Sequence, residues 1–512
     1  EHFSYRQNSS TCPAHFEKRD ILTKYNSAFL GCSLSDNMTV IQGKIGDSDD
    51  FIYRDFSAIG HDFVCLTMEN LVDKEQLERQ VIEKILAAKT LPSDGRERFE
   101  FIEKSISSSP DQKRVKSIEE LLRFLMSGWA VIIVDGFDFA LCIGVQSAPT
   151  RSIGSPVSEV MERGSEEGFS EILRNNMAMV RRRMKTSELK FEITTIGKKS
   201  KTDVAICYIN DTVDKEILAE VKKRLNKMEI DAVLDSGYIQ PFLDTPSASL
   251  FPSVGTTERP DTLCGKILEG RIGVLVDGTP YALTVPLLFS EHFQSLDDYT
   301  VNPFFATFIR CIKYLSFFLA VFVSGTYVAI CEHNPELFPA AILHKVFDSG
   351  IVTPFPNMWE ALIIHVIYEI MREAGLRLPK SVGHAVSIVG GLVIGEAAVT
   401  AGLIGAPMII VVAVTALASF VVPTLYYPCA LLRFAGIFIG GLCGTPGMVL
   451  FAAVIITAVC GHNVYGVPLS APVSPFDRFS VRDTLFRESW RRLSKKTVKI
   501  QNLHGSKEER RP

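Results

Sequence analysis

The sequence predicts an α+β cytoplasmic region of two related subdomains, followed by an all-α polytopic membrane domain. Charge is distributed unevenly along the 512 residues: between Ser381 and Phe476 the only Asp, Glu, Lys or Arg residues are Glu396 and Arg433. A stretch so poor in charge has room for several membrane-spanning helices of about 20 residues. The preceding part of the chain is richer in charge and repeats its own pattern, which indicates a duplicated module.

We expect five parts, bounded by changes in charge and composition. They are a first α+β subdomain at 1–149, a helical linker at 150–185, a second α+β subdomain at 186–300, a membrane domain of four to six transmembrane helices at 301–475 and a basic cytoplasmic tail at 476–512.

Overall composition excludes several classes of protein. Hydrophobic residues make up 47% of the chain, charged residues 22%, and the net charge is -4. Such a chain is too apolar for general disorder and too weakly charged for a basic nucleic-acid binder, so we expect no nucleic-acid partner. The eleven cysteines form no CxxC pair, which predicts free thiols in a reducing compartment and neither a metal nor a cofactor.

The repeat is visible at two landmarks. Val72-Asp73-Lys74-Glu75 recurs 141 residues later as Val213-Asp214-Lys215-Glu216, each time between an apolar strand pattern and an amphipathic helix. Asp135-Gly136 recurs 142 residues later as Asp277-Gly278, each time between two apolar runs. This pattern predicts a strand, a helix and a hairpin per module, with Gly at positive φ in the turn.

The segment between the modules, Thr150–Lys185, is rich in Gly, Ser and Glu and ends in Arg181-Arg182-Arg183. Its charge pattern predicts a helix with a charged face that joins the two halves.

Six apolar segments are candidate membrane spans. They are Ile312–Cys331, Trp359–Glu373, Gly383–Gly402, Ala406–Val422, Leu431–Leu442 and Met448–Val464. Arg310 and Lys313 near the first span, and eleven Lys and Arg against five Asp and Glu in Asp477–Pro512, place both termini in the cytoplasm. The number of crossings is then even: six, or four if Trp359–Glu373 lies in the interface and Leu431–Val464 forms one span broken by its glycines and proline.

The glycine-rich segment Gly383–Gly402 supplies candidate pore residues. Small residues recur every four positions and predict close helix packing; they are Ser387, Gly391 and Gly395. Val389 and Val393 lie largely on other faces and could constrict a pore, while Glu396 would supply negative charge for cations. The alternative is a Glu396 at the end of its helix that reaches the interface or pairs with Arg433.

A polar stripe marks the segment Trp359–Glu373. His365, Glu369 and Glu373 recur every four residues on an otherwise apolar helix. The stripe could bind a divalent metal or relay protons, but it lacks a second pair of ligands. The alternative is an amphipathic interfacial face on which Arg372 pairs with Glu369.

Enzymatic motifs are absent from the sequence. Gly265-Lys266 lacks the leading glycine and the hydroxyl residue of a phosphate-binding loop, and no H-E-x-x-H, G-x-S-x-G or dinucleotide-binding fingerprint occurs. The triplet Asp277-Gly278-Thr279 fits the hairpin turn better than an aspartic protease loop. We therefore expect no enzymatic activity.

Many separated motifs resemble one known family in their order and spacing. They include Glu258-Arg259-Pro260-Asp261, Gly265–Ile272, Val274–Pro280, Leu283–Pro286, Phe293–Ser295, Glu360–Leu362, Arg372–Gly375, Leu378-Pro379, Ile388–Gly390 and Val411–Ala416. From about Ser117 to Asp483 the chain is similar to the GerA family of spore germination proteins.

The resemblance implies an A subunit of a nutrient germinant receptor in the inner spore membrane, with both termini in the spore core. It also implies two partners: a membrane B subunit thought to take the nutrient, and a lipoprotein C subunit. The chain itself is expected to form a homo-oligomer, a pentamer, that lies in the membrane lipid and conducts monovalent cations across it. Three alternatives stay open: an accessory paralogue that senses nothing, a scaffold that does not conduct, and a secondary transporter. The transporter is disfavoured because the repeat lies outside the membrane half.

Overall fold

The structure is a computed structural model that describes residues 29–58, 60–87, 111–147, 163–244, 250–340, 353–378, 395–478, 480–493 and 499–503, with a few single residues between them. The chain divides into two units. The first comprises Glu1–Thr245 and Val254–Pro286, and the second comprises Pro246–Ser253 and Leu287–Pro512.

The first unit contains two five-stranded sheets with the same topology. The strand orders are β1-β2-β4-β5-β3 and β6-β7-β9-β10-β8, and all neighbouring strands are antiparallel. The strands are β1 (Phe51–Ala58), β2 (His61–Met68), β3 (Gln112–Val115), β4 (Ala130–Val134), β5 (Ala140–Ile143), β6 (Leu189–Ile196), β7 (Thr202–Ile209), β8 (Gly255–Thr257), β9 (Ile272–Val276) and β10 (Ala282–Val285). The two sheets therefore share one strand order, as the predicted duplication requires.

Helices cover these sheets in a matching order. The first module has α1 (Leu34–Ile45), α2 (Lys74–Leu77), a π-helical turn (Glu78–Ile82), α3 (Glu83–Ala87) and α4 (Ile118–Leu125). The second has α5 (Leu173–Arg183), α6 (Lys215–Asn226), α7 (Gln240–Leu243) and α8 (Pro260–Leu268). The central strands β4 and β9 are buried along their whole length, so apolar side chains pack on both faces of each sheet.

The predicted Asp-Gly turns have the same backbone conformation and make the same hydrogen bond in both modules. Gly136 and Gly278 have φ of 89° and 88°, as the hairpin turn requires. The Oδ1 atom of Asp135 accepts a hydrogen bond from the Leu34 backbone N at 3.0 Å, where α1 begins. Asp277 accepts one in the same way from Leu173 at 2.9 Å, where α5 begins. In each module the aspartate of the hairpin turn thus also accepts a hydrogen bond from a backbone N–H that has no partner within its helix.

The second landmark is also preserved in atomic detail. Asp73 is the N-cap of α2, and its Oδ1 accepts hydrogen bonds from two backbone N–H groups. Asp214 caps α6 in the same way. An aspartate that caps a helix typically stabilises it by about 1 kcal/mol, which explains why this short string recurs while the surrounding sequence differs.

The predicted linker helix is shorter than expected. Within the described part of Thr150–Lys185 only α5 is a long helix, and residues 165–172 are not helical. Because α5 occupies the place that α1 has in the first module, it belongs to the second module and not to a separate linker. The prediction that the arginine run forms a charged face is wrong at Arg181, whose side chain is 1% exposed.

Arg181 instead joins the two modules. Its Nε atom lies 2.8 Å from Asp50 Oδ2, and its Nη2 atom lies 2.9 Å from Asp50 Oδ1, so the pair is bidentate. Ser48 donates to the same carboxylate at 2.6 Å and accepts from the Phe191 backbone N at 3.1 Å. The segment before β1 thereby covers the edge strand β6, whose backbone groups would otherwise be unpaired.

The cysteines of this unit are mostly free and buried. Burial raises the pKa of the Cys65, Cys142 and Cys264 thiols to about 12, which makes them poor nucleophiles. The prediction of free thiols is wrong at Cys32, which is disulfide-bonded. Sequence spacing alone gives no distance between two thiols, so this bond was not predictable.

The second unit is helical. Its principal helices are α9 (Asp297–Thr300), α10 (Pro303–His333), α11 (Asn357–Arg377), α12 (Ala406–Val421), α13 (Tyr426–Gly461) and α14 (Trp490–Leu493). A small hairpin of β11 (Asn463–Val464) and β12 (Val467–Pro468) follows α13. The candidate spans Leu431–Leu442 and Met448–Val464 lie largely in α13, where Gly444 departs from helical geometry with φ of 66°.

Two helices of the described residues are long and apolar enough to cross a membrane: Pro303–His333 and Pro423–Gly461. Ala406–Val421 is apolar but shorter. The helix around Trp359–Glu373 exists as α11, whereas most of Gly383–Gly402 lies outside the described residues. The count of four to six crossings stays a prediction.

Glycines bring α10 and α13 into backbone contact. A Cβ atom on Gly325 would lie 2.6 Å from the Gly436 carbonyl oxygen, and one on Gly440 would collide with the Gly325 backbone. The small-residue packing expected at Gly395 is absent from the described residues, since a Cβ there would meet nothing within 4 Å. Close helix packing of the predicted kind therefore occurs, but between different helices.

We predict that Arg181→Ala destabilises the first unit by about 3–5 kcal/mol, because it leaves the Asp50 carboxylate buried without its cation. Urea unfolding of the full chain, followed by Trp129 fluorescence in a Trp359→Phe/Trp490→Phe background, measures this. The control is Arg182→Ala, whose side chain is 33% exposed and pairs with Glu167; it should cost less than about 1 kcal/mol. Equal effects of the two substitutions would contradict the inter-module role.

Candidate functional site: a buried polar network in the helical unit

Five polar side chains lie inside the apolar packing of α10, α11, α12 and α13. Each is at most 2% exposed; they are Ser324, His365, Thr415, Ser419 and Arg433. Buried polar groups are costly unless hydrogen-bonded, and buried charges are costlier still unless paired. Their concentration between four helices makes this region the candidate functional site.

One arm of the network joins α10, α11 and α12. The Ser324 Oγ atom lies 2.9 Å from His365 Nε2 and 3.1 Å from Thr415 Oγ1. The Thr415 hydroxyl donates to the Val411 carbonyl oxygen at 2.7 Å, so it accepts from Ser324. Ser324 then accepts from His365, which places the proton of the neutral imidazole on Nε2. The His365 Nδ1 atom is buried and has no hydrogen-bond partner among the described residues.

The other arm is an ion pair between α11 and α13. The Nη2 atom of Arg433 lies 2.5 Å from Glu369 Oε1, and Arg433 is fully buried. The Tyr426 hydroxyl donates to the other carboxylate oxygen, Oε2, at 2.6 Å. Both oxygens of Glu369 are therefore engaged by residues of α13.

Ser419 connects the two arms. Its Oγ atom accepts from Arg433 Nη1 at 3.3 Å and donates to the Thr415 carbonyl oxygen at 2.8 Å. This hydroxyl back-bond on α12 places Ser419 one turn beyond Thr415 and within reach of the guanidinium. The network thus runs from α10 through α11 and α12 to α13.

The predicted polar stripe of α11 is divided by the structure. His365 and Glu369 point into the network, but Glu373 is exposed and pairs with Arg377 at 2.6 Å. The predicted pairing of Arg372 with Glu369 is wrong, because Arg372 stacks on the Tyr426 ring, 3.3 Å from its centroid. No group of three or more His, Cys, Asp or Glu suited to a metal ion occurs among the residues described here.

The predicted pore residues fall mostly outside the described residues. Of these residues, Val389, Val393, Ser387 and Gly391 lie outside the described residues, whereas Gly395 and Glu396 belong to the helical residues 395–400. The Glu396 side chain is exposed. The alternative in which Glu396 pairs with Arg433 is wrong, since Glu369 occupies that guanidinium.

Sequence reasoning identified Arg433, His365 and Glu369 but missed the three hydroxyls. Ser324, Thr415 and Ser419 carry no signal of their own, because serine and threonine are common in apolar helices and usually bond to their own backbone. Arg433 carried a strong signal, because no other Lys or Arg occurs between Ser381 and Phe476. Its partner, 64 residues away, could not be read from spacing.

The fold and the site define a class: a duplicated antiparallel α/β region joined to long apolar helices that share a buried, ion-paired polar network. The family model described as Bacillus/Clostridium GerA spore germination protein matches residues 39–498. Spore germination protein KA of Bacillus subtilis (strain 168) is 37% identical over 472 residues, 91% of this chain and 86% of that protein. The chain therefore belongs to the GerA family of spore germination proteins.

The chain is also similar to a second spore germination protein and to one solved structure. Spore germination protein B1 of Bacillus subtilis (strain 168) is 33% identical over 463 residues, 89% of this chain and 94% of that protein. The crystal structure of the N-terminal domain of the A subunit of the Bacillus megaterium spore germinant receptor GerK3 is 30% identical, with a TM-score of 0.40; the match covers 51% of this chain and 97% of that one.

We predict that Glu369→Gln strongly destabilises the helical unit, by about 3–5 kcal/mol, because it leaves the buried Arg433 guanidinium uncompensated. The thermal unfolding midpoint of the full chain in detergent measures the effect. Glu373→Gln is the matched control: it makes the same change one turn later on α11, where the ion pair is exposed and worth at most about 1 kcal/mol. If the control proved as damaging as Glu369→Gln, the buried pair would not hold these helices together.

Proposed function

We propose that this chain is the A subunit of a nutrient germinant receptor in the inner spore membrane, and that copies of it assemble into a nutrient-gated channel for monovalent cations. Membership of the GerA family supports the receptor role, since relatives across most of the chain are named spore germination proteins. In this proposal a B subunit takes the nutrient, a C subunit completes the receptor, and the oligomer is a pentamer.

The observation that carries the channel proposal is the buried network. A charged side chain within an apolar helix bundle costs at least about 2.5–3.5 kcal/mol on membrane insertion scales, so it is retained where it pairs or serves function. Here the pair and the hydroxyls join α10, α11, α12 and α13. Such contacts can exchange between two arrangements, as a gate requires, more readily than close-packed apolar side chains.

The conducting path is proposed to pass along the segment that contains Val389, Val393 and Glu396. The valines would form an apolar constriction that excludes water in the closed state, and the Glu396 carboxylate would concentrate cations at its mouth. The exposure of Glu396 in the single chain supports this assignment, because a residue that lines a pore between copies has no partner within its own copy. Nutrient on a partner subunit would then shift a closed–open equilibrium.

We expect spores that carry Val393→Ala or Val389→Ala to release potassium without nutrient, because a smaller side chain widens the constriction and admits water. Potassium release from spore suspensions measures this, with the abundance of the protein checked by immunoblot. Leu417→Ala serves as the control, since it truncates a 67% exposed apolar side chain of α12.

Glu396→Gln separates a channel from a scaffold. In a channel the loss of the carboxylate lowers the nutrient-triggered rate of cation release while the protein stays assembled. Unchanged release from both valine variants and from Glu396→Gln, at normal abundance, would contradict the gate and favour a scaffold that does not conduct. Release that is unaffected by nutrient in the unmodified protein would favour an accessory paralogue.

A further inference from the structure

The chain after the β11–β12 hairpin folds back onto the start of α10. The Arg310 guanidinium, fully buried, lies 2.7 Å from Asp298 Oδ2 and 3.0 Å from Asp483 Oδ1. The Arg310 Nη1 atom, which makes the contact with Asp483 Oδ1, also donates to the Asp483 carbonyl oxygen at 2.6 Å. The Tyr299 hydroxyl donates to Asp483 Oδ2 at 2.7 Å. One aspartate of the tail is therefore fixed to the first turns of the helix.

Further contacts extend this attachment to α14. The Arg487 backbone N donates to Thr307 Oγ1 at 3.1 Å, and the Trp490 indole N–H donates to the Tyr299 carbonyl oxygen at 3.2 Å. The Arg487 guanidinium lies beside the Tyr299 and Trp490 rings, 5.6 and 5.2 Å from their centroids. The tail up to α14 thus has a defined position beside residues 299–310.

This position brings together several exposed aromatic side chains. From 55% to 88% of each is exposed; they are Phe304, Phe305, Phe308, Phe486 and Trp490. Exposed rings at this density are unfavourable in water, whereas aromatic side chains are enriched at the level of lipid headgroups. The exposed apolar surface continues along α10 at Leu315 and Phe318, which are 56% and 54% exposed.

The length of α10 places these rings at the membrane boundary. Its 31 residues extend about 46 Å at 1.5 Å per residue, which exceeds the roughly 30 Å of a hydrocarbon core. If the span Ile312–Cys331 fills that core, the nine residues before it protrude by about 13 Å into the headgroup region. The aromatic residues of the first two turns and the attached tail then share one depth.

The same tail carries basic side chains: Arg491 and Arg492 directly follow Trp490 in the chain, and Arg478 precedes Asp483 by five residues. Arg478, Arg491 and Arg492 are all exposed, and only Arg492 has a carboxylate partner among the described residues, Glu488 at 3.3 Å. Each Lys or Arg near an anionic bilayer surface adds about 1 kcal/mol of attraction. The surface has the two chemistries of an interfacial anchor: rings for the headgroup boundary and guanidinium groups for lipid phosphates.

We propose that the tail and the start of α10 form a binding surface for anionic phospholipid headgroups, which we call the lipid collar: Phe304, Phe305, Phe308, Phe486, Trp490, Arg478, Arg491 and Arg492. This proposal rests on the membrane location in the proposed function. The collar fixes the depth of α10 and anchors the tail through the Arg310–Asp483 contact. A second copy of the chain fits this surface less well, because the exposed guanidinium groups of the two copies would repel each other.

The test uses the detergent-solubilised full chain with Trp129→Phe and Trp359→Phe, which leaves Trp490 as the one remaining tryptophan of three. Micelles that contain brominated phosphatidylglycerol or brominated phosphatidylcholine are titrated in, and quenching of Trp490 is recorded. We expect the anionic lipid to quench at the lower concentration. In Arg491→Gln/Arg492→Gln its half-saturating concentration should rise by roughly tenfold or more.

A matched control removes the same charge elsewhere. Lys198 and Lys199 are adjacent lysines of the first unit, 62% and 78% exposed, and Lys198→Gln/Lys199→Gln should leave the titration unchanged. Equal quenching by both lipids, no quenching of Trp490, or protection of Trp490 by self-association would each overturn the collar. Reconstitution into liposomes is checked separately by flotation, so that failure to insert counts against the membrane location and not against the collar alone.

Discussion

The Arg433 guanidinium is the constraint on which the helical unit depends. A cation that is fully buried among apolar helices has to be paired, so α11 must present Glu369 to α13 at one rotation and one height. The bond from Arg433 to Ser419 then fixes α12. Thr415, four residues earlier, reaches the Ser324 hydroxyl of α10. The requirement to satisfy one charge therefore determines how four helices face each other.

A buried ion pair also determines how the two modules of the first unit pack. Two modules with the same strand order could pack in many ways, because each buries its own core. The Arg181–Asp50 pair selects one arrangement, since either charge alone would be buried without compensation. Lys190 adds a second contact by donating to the carbonyl oxygen of Ile45 at the C-terminal end of α1, where a cation is favoured. Burial lowers the pKa of this lysine, because its ammonium group loses water. The Ile45 carbonyl oxygen replaces part of that lost hydration.

The features that sequence predicted are those decided by residues close together in the chain. The repeat was visible because capping and hairpin turns need particular residues, Asp73 and Asp214 in one place and Asp135 and Asp277 in the other. The pairing of charges was not visible, because it is decided by distance in space. Arg181 was read as part of a charged surface, although its partner lies 131 residues earlier and buries it.

The helical unit combines two kinds of contact that differ in how easily they can change. At Gly325 and Gly436 the backbones of α10 and α13 touch, and no side chain lies between them that could adopt another rotamer. Helix α11 meets α13 through the flexible Met358 side chain at Gly441 and through the Glu369 ion pair, and it meets α10 through His365. Polar contacts can be exchanged for water or for another partner, whereas a backbone contact between glycines can only be lost. A conformational change in this unit should therefore move α11 against a fixed pair of α10 and α13, and the energy of that movement would be set by how well Glu369 and His365 are satisfied in the second state.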